Sequence, residues 1–385
     1  MNRKLRMGLI GGGKGAFIGR VHHMAAILDN EIELVCGAFS SDLHVSKASG
    51  ADYKLPAERV YESYQQMIEK ELLLHHDERM DFVTIVTPNF LHFDPARMAL
   101  ENGFHVVCDK PVTFNLKEAL ILEEIVERTG LIFALTHTYN GYPMVKEARH
   151  IVQSGKIGKI RKIMVEYTQG WLAQLQETQG NKQASWRADP AKAGVACTMG
   201  DIGVHAFNLA EYVTGLRVKQ LCADISIMVE GRKLDDDGAV LLRFDKGAHG
   251  VLVESQICAG DENDVRLRVF GEKGGIEWHQ MEPNSLELKW ADKSKEIIRT
   301  GVGILSEEAK AHIRIPAGHP EGFIEAFANI YRNFAFAVHA ARSGAKPNPI
   351  FDFPGIKEGV RGMAFIEKAI ESGKSDVKWL DFEVL

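Results

Sequence analysis

The 385-residue chain is poor in what marks membrane-spanning, disulfide-built or nucleic-acid-binding proteins. It has no run of about 18 apolar residues, so no membrane span is expected. Its opening, MNRKLRMGLI, starts basic, but the short apolar stretch runs straight into glycines and reads as a first strand rather than a signal peptide. Only five cysteines are present (Cys36, Cys108, Cys197, Cys222 and Cys258), an odd number, far apart and without a C-x-x-C pair. That excludes a disulfide framework; all but Cys197 lie in apolar, strand-like runs, where a thiol behaves as a small hydrophobe. A reducing, cytoplasmic setting is the expectation. No block of Lys or Arg occurs and the formal net charge is −6, which argues against nucleic acid as a partner. Internal repeats, low-complexity tracts and long linkers are also lacking.

What is present is ordinary globular composition, 45% hydrophobic and 25% charged, in a chain too long for one core. Two domains are expected, over residues 1–136 and 137–385. The first is organised around the stretch KLRMGLIGGGKGAFIGRVH from Lys4 to His22. A short apolar run meets Gly11, Gly12, Gly13 and Gly15, and a helical pattern follows over 17–28. Strand, tight turn and helix in that order make a dinucleotide-binding unit, in which backbone approaches a pyrophosphate at a helix N-terminus. Gly11, Gly13 and Ala16 fit the G-x-G-x-x-G/A spacing.

A second strand is predicted over 32–39 and a short helix over 42–49. Cofactor choice is made at the end of this strand, where an acid favours NAD and an Arg accommodates NADP. Here it ends Phe39-Ser40-Ser41-Asp42, so the acid is late and no Arg is adjacent. The expectation is NAD, with NADP open; Ser40 and Asp42 equally suit a helix cap. Strands follow over 81–87, 105–108 and 131–135, with helices over 93–102 and 116–129. This alternation predicts an α/β fold with a parallel, doubly wound Rossmann sheet, whose ligands sit at the C-terminal strand edge. Pro88 and the Asp109-Lys110-Pro111 turn fall at that edge.

Beyond residue 136 the pattern changes. Helices are predicted over 143–154 and 198–214, with a strand over 159–168 and a polar, irregular stretch over 170–196. Strands follow over 220–229, 239–244, 248–258, 265–270, 275–279 and 285–290. In one of these Val265, Leu267 and Val269 alternate with Arg266 and Arg268, a half-buried antiparallel signature whose other face is solvated or meets another subunit. Phe323, Phe327, Ile330, Phe334 and Val338 keep helical spacing. A last helix, over 356–372, is expected to pack back on the first domain.

Two groups carry chemistry. Lys110, held after a buried strand, can place its ammonium near a substrate oxygen and lower a hydroxyl's pKa. Asp201 and His205 in Gly-Asp-Ile-Gly-Val-His share one helix face; the carboxylate can fix the imidazole's tautomer while the imidazole takes a proton from a hydroxyl. The spacing lacks further ligands for zinc, so no metal is expected. A surface lysine and an ordinary Asp–His helix pair are the plainer readings. For Tyr142, Trp186 and Arg187, burial or subunit packing is the plainer reading of each alone.

Taken together, the motifs Ile18-Gly19-x-x-His22, Thr87-Pro88-Asn89-x-x-His92, Asp109-Lys110-Pro111 and Gly200-Asp201-x-Gly-x-His205 resemble the Gfo/Idh/MocA oxidoreductase family. The match covers nearly the whole chain in the right order. The longer blocks GAFIGRVH, GYPMVKEAR, GDIGVHAFNLAEYVTG and GHPEGFIEAFAN look like the branch of scyllo-inositol, L-glucose and levoglucosan dehydrogenases. The resemblance implies an N-terminal Rossmann domain, and a C-terminal α/β domain with a large, open, mixed and mostly antiparallel sheet that builds dimers or tetramers. It implies a nicotinamide cofactor and a small polyol or sugar substrate. Lys110 and His205 become the proton-handling pair, with Asp201 orienting His205 and binding a substrate hydroxyl. Tyr142, Trp186 and Arg187 fall on the substrate side. Thr87, Pro88, Asn89 and His92 line the ribose and nicotinamide, and Asp109 supports Lys110 in place of the family's usual glutamate. Ser40 stands where the family has its acid, with Ser41 beside it. Ile18-Gly19-x-x-His22 resembles the second half of the glycine fingerprint, so that residues 14–16 form an insertion and Lys14 and Phe17 lie against the dinucleotide. The implied reaction is oxidation of a secondary ring hydroxyl. A glycoside-cleaving relative of the same fold and a non-catalytic NAD(H) sensor are the alternatives.

Overall fold

The computed structural model describes residues 3–383, so the outermost residues of both expected domains lie outside the described residues. The chain divides into two compact units. The first comprises Met1–Thr138 and Ile324–Val360, the second Tyr139–Phe323 and Arg361–Leu385.

In the first unit strands and helices alternate: β1 (Leu5–Gly11), α1 (Phe17–Ile27), β2 (Ile32–Ala38), α2 (Leu43–Asp52), α3 (Tyr64–Leu72), β3 (Phe82–Val86), α4 (Phe93–Glu101), β4 (His105–Cys108), α5 (Leu116–Thr129) and β5 (Phe133–Leu135). The sheet order is β2-β1-β3-β4-β5 with every pair parallel. An isolated parallel bridge from Gly37 to Val60 marks where a further strand would extend the sheet beyond β2. Leu5, Met7, Leu9, Phe82, Val83, Ile85, Val106 and Val107 are fully buried, as a parallel sheet covered on both faces requires. Local chemistry fixes the helix ends. Asn115 caps α5 through the Glu118 N–H, and Gly130 closes it in the left-handed region. Helix α3 has no counterpart in the expected pattern. It buries Met67, Ile68 and Glu71, the last being held by Arg59, the Tyr61 hydroxyl and the Met80 N–H.

The second unit contains α6 (Pro143–Gln153), β6 (Ile160–Thr168), α7 (Lys182–Arg187), α8 (Pro190–Ala193), α9 (Val204–Thr214), β7 (Val218–Ser226), β8 (Asp237–Phe244), β9 (His249–Ser255), β10 (Asp264–Gly271), β11 (Gly274–His279), β12 (Ser285–Trp290), β13 (Glu296–Arg299), α10 (Glu307–Ala311) and β14 (Trp379–Asp381). Its nine-stranded sheet runs β13-β12-β11-β10-β6-β9-β8-β7-β14. Only β6 and β9 pair in parallel. In β10 Val265, Leu267 and Val269 are buried while Arg266 and Arg268 are partly exposed, as the alternation predicts. Helices α6 and α9 lie on the apolar face.

Helix α11 (Phe323–Arg342) buries Phe327, Ile330, Phe334 and Val338 at the expected spacing. Within the first unit Phe334 meets Phe82 edge-on and Tyr331 meets His22. That apolar stripe assigns Ile324–Val360 to the first unit, although the sequence pattern alone leaves it with the second domain. The final helix, α12 (Ile356–Lys374), is divided between the two units at Val360.

Candidate active site

In the first unit the β1–α1 turn brings backbone very close to backbone. Gly11, Gly12 and Gly15 have positive φ. A Cβ on Gly19 would stand 2.4 Å from the Cα of Gly12, and one on Gly13 would stand 2.7 Å from the Phe39 carbonyl oxygen. The helix-packing glycine of the fingerprint is therefore Gly19, and Ala16, matched by spacing alone, is instead the N-cap residue of α1. Ala16 has no capping side chain, which leaves the first-turn N–H groups for an anion. Lys14 and Phe17 are exposed, Ile18 is half-buried, and the Lys14 N–H donates to Ser49 Oγ, 2.8 Å away. This glycine cradle at the C-terminal edge of β1 fits a dinucleotide pyrophosphate.

At the end of β2 the helix-cap reading holds for Asp42. Its carboxylate accepts from the His44 and Val45 N–H groups, and its own N–H donates to Ser40 Oγ. Ser40 is half-buried and Ser41 exposed. After β3, Thr87 Oγ1 donates to the Leu91 carbonyl, Pro88 starts a short 3-10 turn, and Asn89 is buried. His92 is 1% exposed, with Nδ1 2.9 Å from the Pro111 carbonyl oxygen and Nε2 2.7 Å from that of Thr87. Burial lowers its pKa, and a neutral imidazole donates to one of these oxygens at a time. The resemblance gives His92 to the cofactor; the geometry makes it a clasp between the Thr87 and Pro111 turns.

The Asp109-Lys110-Pro111 turn follows β4. Asp109 Oδ1 accepts from the Thr136 hydroxyl at 2.7 Å and from the Lys110 N–H at 2.9 Å. Its Oδ2 is 3.8 Å from His22 Nε2, and His22 Nδ1 is 2.6 Å from the Tyr331 hydroxyl. Burial pushes the Asp109 carboxyl up, but His22, then Lys110 and Thr136, hold it well below the usual carboxylate range. His137, which no motif announces, is buried just past β5. Burial, and then the charge of Lys110, bring its pKa down to about 3. Lys110 thus sits among an ionised Asp109 and a neutral His137.

In the second unit the predicted helix over 198–214 begins as a π-turn, Met199–Gly203, and only then becomes α9. Such turns reposition side chains relative to the α-helical ladder and recur at functional sites. Asp235, from the β7–β8 connection, caps this start: its oxygens accept from the Cys197 N–H at 2.6 Å and the Met199 N–H at 2.7 Å. Asp201 Oδ1 is 3.2 Å from Arg187 Nε, and Oδ2 accepts from Gln256 Nε2 at 2.8 Å. His205 is 7% exposed, and the Tyr139 ring stands edge-on to it with centroids 5.1 Å apart. Arg187 lies over the Trp186 ring, and both share Gln183 Oε1. Three expected residues, Asp201, Arg187 and Trp186, therefore converge.

Tyr142 lies one ring further back, stacked on Tyr139 with centroids 6.4 Å apart. It is 1% exposed, packed against Trp278, with Gln280 reaching its hydroxyl; the tyrosines beside His205 are Tyr139 and Tyr167. Their hydroxyls are 2.6 Å apart, and burial, relieved in Tyr139 by hydrogen bonds, pushes Tyr139 up to about 12. Sequence reasoning also misses Gln169, Gln256, Asn263 and Arg232. The fully buried Arg232 side chain donates to the Leu172 and Gln174 carbonyls, Glu177 and Asp236, so it ties down the stretch after β6. The acidic run Asp235-Asp236-Asp237 after an arginine is the only signal that points there. Beneath the π-turn lies Glu254, fully buried, its oxygens without a hydrogen-bond partner among the described residues. Burial, and then Asp235, Asp237, Asp236 and Asp201, raise its pKa well above the ordinary value. Among the described residues the His, Cys, Asp and Glu side chains close enough together to hold a metal ion are the exposed His75, His76 and Asp77, remote in sequence from Asp201 and His205.

No helix among the described residues is long and apolar enough to cross a membrane. The family described as "Oxidoreductase family, NAD-binding Rossmann fold" matches residues 5–137, and the GFO/IDH/MocA C-terminal domain matches residues 145–277. An uncharacterised oxidoreductase of Bacillus subtilis, YfiI, is 32% identical over 100% of this chain and 98% of its own length. The levoglucosan dehydrogenase of Pseudarthrobacter phenanthrenivorans is 24% identical over 75% of this chain and 77% of its own. Among solved structures, an inositol dehydrogenase homologue from Azotobacter vinelandii, complexed with NADH and myo-inositol, superposes with a TM-score of 0.91. It is 31% identical, and the match covers 99% of this chain and 98% of that one. With a glycine cradle that fits a pyrophosphate and matches across both units, the chain belongs to the Gfo/Idh/MocA family and is an NAD-binding oxidoreductase.

Proposed function

We propose that this protein oxidises a secondary ring hydroxyl of a cyclic polyol or pyranose to the ketone or lactone. The observation that carries the reading is the second unit's arrangement at the π-turn: Asp201 held by Arg187 and Gln256, and His205, four residues on, packed against Tyr139. Neutral amides and hydroxyls, with one paired arginine, suit a neutral polyhydroxy ring better than a phosphorylated or acidic one. The bound myo-inositol of the Azotobacter homologue supports the same class.

In this reading the bound NAD supplies the hydride acceptor. His205 takes the hydroxyl proton, Asp201 fixes the imidazole and accepts a hydrogen bond from a second substrate hydroxyl, and Lys110 shares the proton of the reacting oxygen. Gly11, Gly12, Gly13 and Gly19 let backbone approach the pyrophosphate, with Lys14, Phe17 and Ile18 beside it. Thr87, Pro88 and Asn89 border the nicotinamide ribose. Trp186 and Arg187 border the substrate. A homo-oligomer built on the open face of the nine-stranded sheet completes the proposal, with the cytoplasm as its compartment.

The test is a panel of inositols, L-sugars, anhydrosugars and their phosphates with NAD and NADP, read as reduced cofactor. A neutral cyclic polyol or pyranose with NAD is the expected substrate. Sugar release from a glycoside without net NADH, or tight NAD(H) binding with no turnover of any member, would replace the reading by one of its two alternatives.

A further inference from the structure

The side chains behind Asp201 and His205 form one hydrogen-bonded chain whose direction is settled at its two ends, by an indole N–H that can only donate and a carboxylate that can only accept. Trp171 Nε1 donates to Gln169 Oε1 at 3.0 Å, and an indole N–H can only donate. The Gln169 oxygen therefore faces Trp171, and the same oxygen accepts from Gln256 Nε2 at 2.9 Å. Gln256 is fully buried, so its amide too has one workable orientation. Nε2 points to Gln169 and to Asp201 Oδ2 at 2.8 Å, and Oε1 lies 3.2 Å from the Thr198 hydroxyl, whose one proton it shares with the Asp235 carbonyl. Turned over, the amide would set an oxygen against an aspartate and a second amide oxygen.

The other branch is fixed in the same way. Gln169 Nε2 donates to Asn263 Oδ1 at 2.6 Å, so Asn263 Nδ2 is the group that donates to the Tyr139 hydroxyl at 3.1 Å. Tyr167 donates to Asn263 Oδ1 at 2.7 Å, which leaves Tyr139 to donate to Tyr167 across 2.6 Å. Tyr139, Tyr167 and Asn263 close a ring of hydrogen bonds in which each hydroxyl proton has one acceptor. Tyr139 holds the His205 ring edge-on.

We infer that Trp171 and Gln256 are positioning residues: the indole N–H, together with the acceptor-only Asp201 carboxylate, fixes the direction of a chain that presents an amide donor to Asp201 and a tyrosine ring to His205. This rests on the proposed roles of Asp201 and His205. Neither residue touches the reacting atoms; the chain holds the proton-handling pair in one arrangement, which side chains with two equivalent amide orientations would not do. Networks of this kind specify a unique geometry only when every member is satisfied.

The experiment compares Trp171→Phe, Gln256→Leu and Gln256→Glu with the wild type in steady-state kinetics, thermal unfolding and imidazole ¹⁵N spectra of His205. Loss of a hydrogen bond to a charged group predicts that both Gln256 variants lose about 10- to 100-fold in kcat. Trp171→Phe, which keeps an aromatic ring and loses one neutral bond, should lose about 3- to 10-fold. KM for NAD should stay unchanged, and the His205 resonances should move in all three. A residue needed only for packing would lower the unfolding temperature and leave kcat and the His205 spectrum of the folded protein as they were. If no polyol or pyranose is turned over by the wild type, the proposed function fails, yet the His205 spectra still decide the positioning role. Normal kcat and an unmoved His205 spectrum in all three variants would overturn the inference while leaving the function standing.

Discussion

The turn before α1 and the turn before α9 are both glycine-bearing entries to a helix, and they are built on opposite principles. The first is backbone: Gly12 and Gly19 pass at a distance that no Cβ allows, and α1 begins without a side-chain cap. The second is side chain: the π-turn is capped from a distance by Asp235, clamped through Asp201 by Arg187 and Gln256, and faced by Tyr139. A backbone cradle takes the part of a ligand shared by every dinucleotide. A side-chain lattice can be recut for one substrate, so the two halves should respond differently to mutation.

The largest difference is expected in turnover. His205→Ala and Lys110→Ala should each lower kcat by about 10²- to 10⁴-fold, the range of a lost general acid–base, while the Kd for NAD changes little. Equal losses of NAD affinity would break the separation. Next comes Glu254. Its folded-state pKa is raised, so the folded protein keeps a proton that the unfolded chain gives up, and stability falls as pH rises above the ordinary glutamate value. Glu254→Gln should remove that slope, gaining about 1.4 kcal/mol per pH unit relative to wild type until the folded group itself ionises. Denaturant melts between pH 5 and 8 measure it; parallel curves for the two proteins would place the charge burden elsewhere.

Gly19→Ala tests the backbone half. Overpacking against the Gly12 backbone should cost about 1–3 kcal/mol and weaken NAD binding, whereas Gly15→Ala, with open space around it, carries only the strain of its positive φ. The smallest effect is expected from Asp42→Ala. Loss of the α2 cap should cost about 1 kcal/mol of stability and leave NAD affinity unchanged. A tenfold rise in Kd would instead put Asp42 in contact with the ribose.

The same contrast explains what the sequence discloses. The cradle is written in contiguous residues, because strand, glycines and helix must follow one another to build it; even so, spacing alone chose Ala16 where packing needs Gly19. The parallel sheet, the alternation in β10 and the stripe of α11 follow from apolar period and were legible. In the lattice Asp201 and His205 declare themselves by helix spacing, and Arg187 and Trp186 only through the family resemblance. Gln169, Gln256 and Asn263 meet because β6, β9 and β10 are neighbours in the sheet, and nothing local to an amide announces a partner most of a domain away. Tyr139, which stands against His205, carries no motif of its own, so sequence does not announce it. The edge strands β13 and β14 were missed for a related reason: they are short and half-exposed, so their apolar period is weak.

The central claim, an NAD-dependent oxidation of a ring carbinol, is tested most directly with substrate deuterated at that carbon. The protein should move the label into the nicotinamide of NADH, with wild-type enzyme active on a neutral cyclic polyol or pyranose and His205→Ala nearly silent. An enzyme that binds NAD yet transfers no label from any member of that class, or a His205→Ala variant that transfers it at the wild-type rate, would contradict the account.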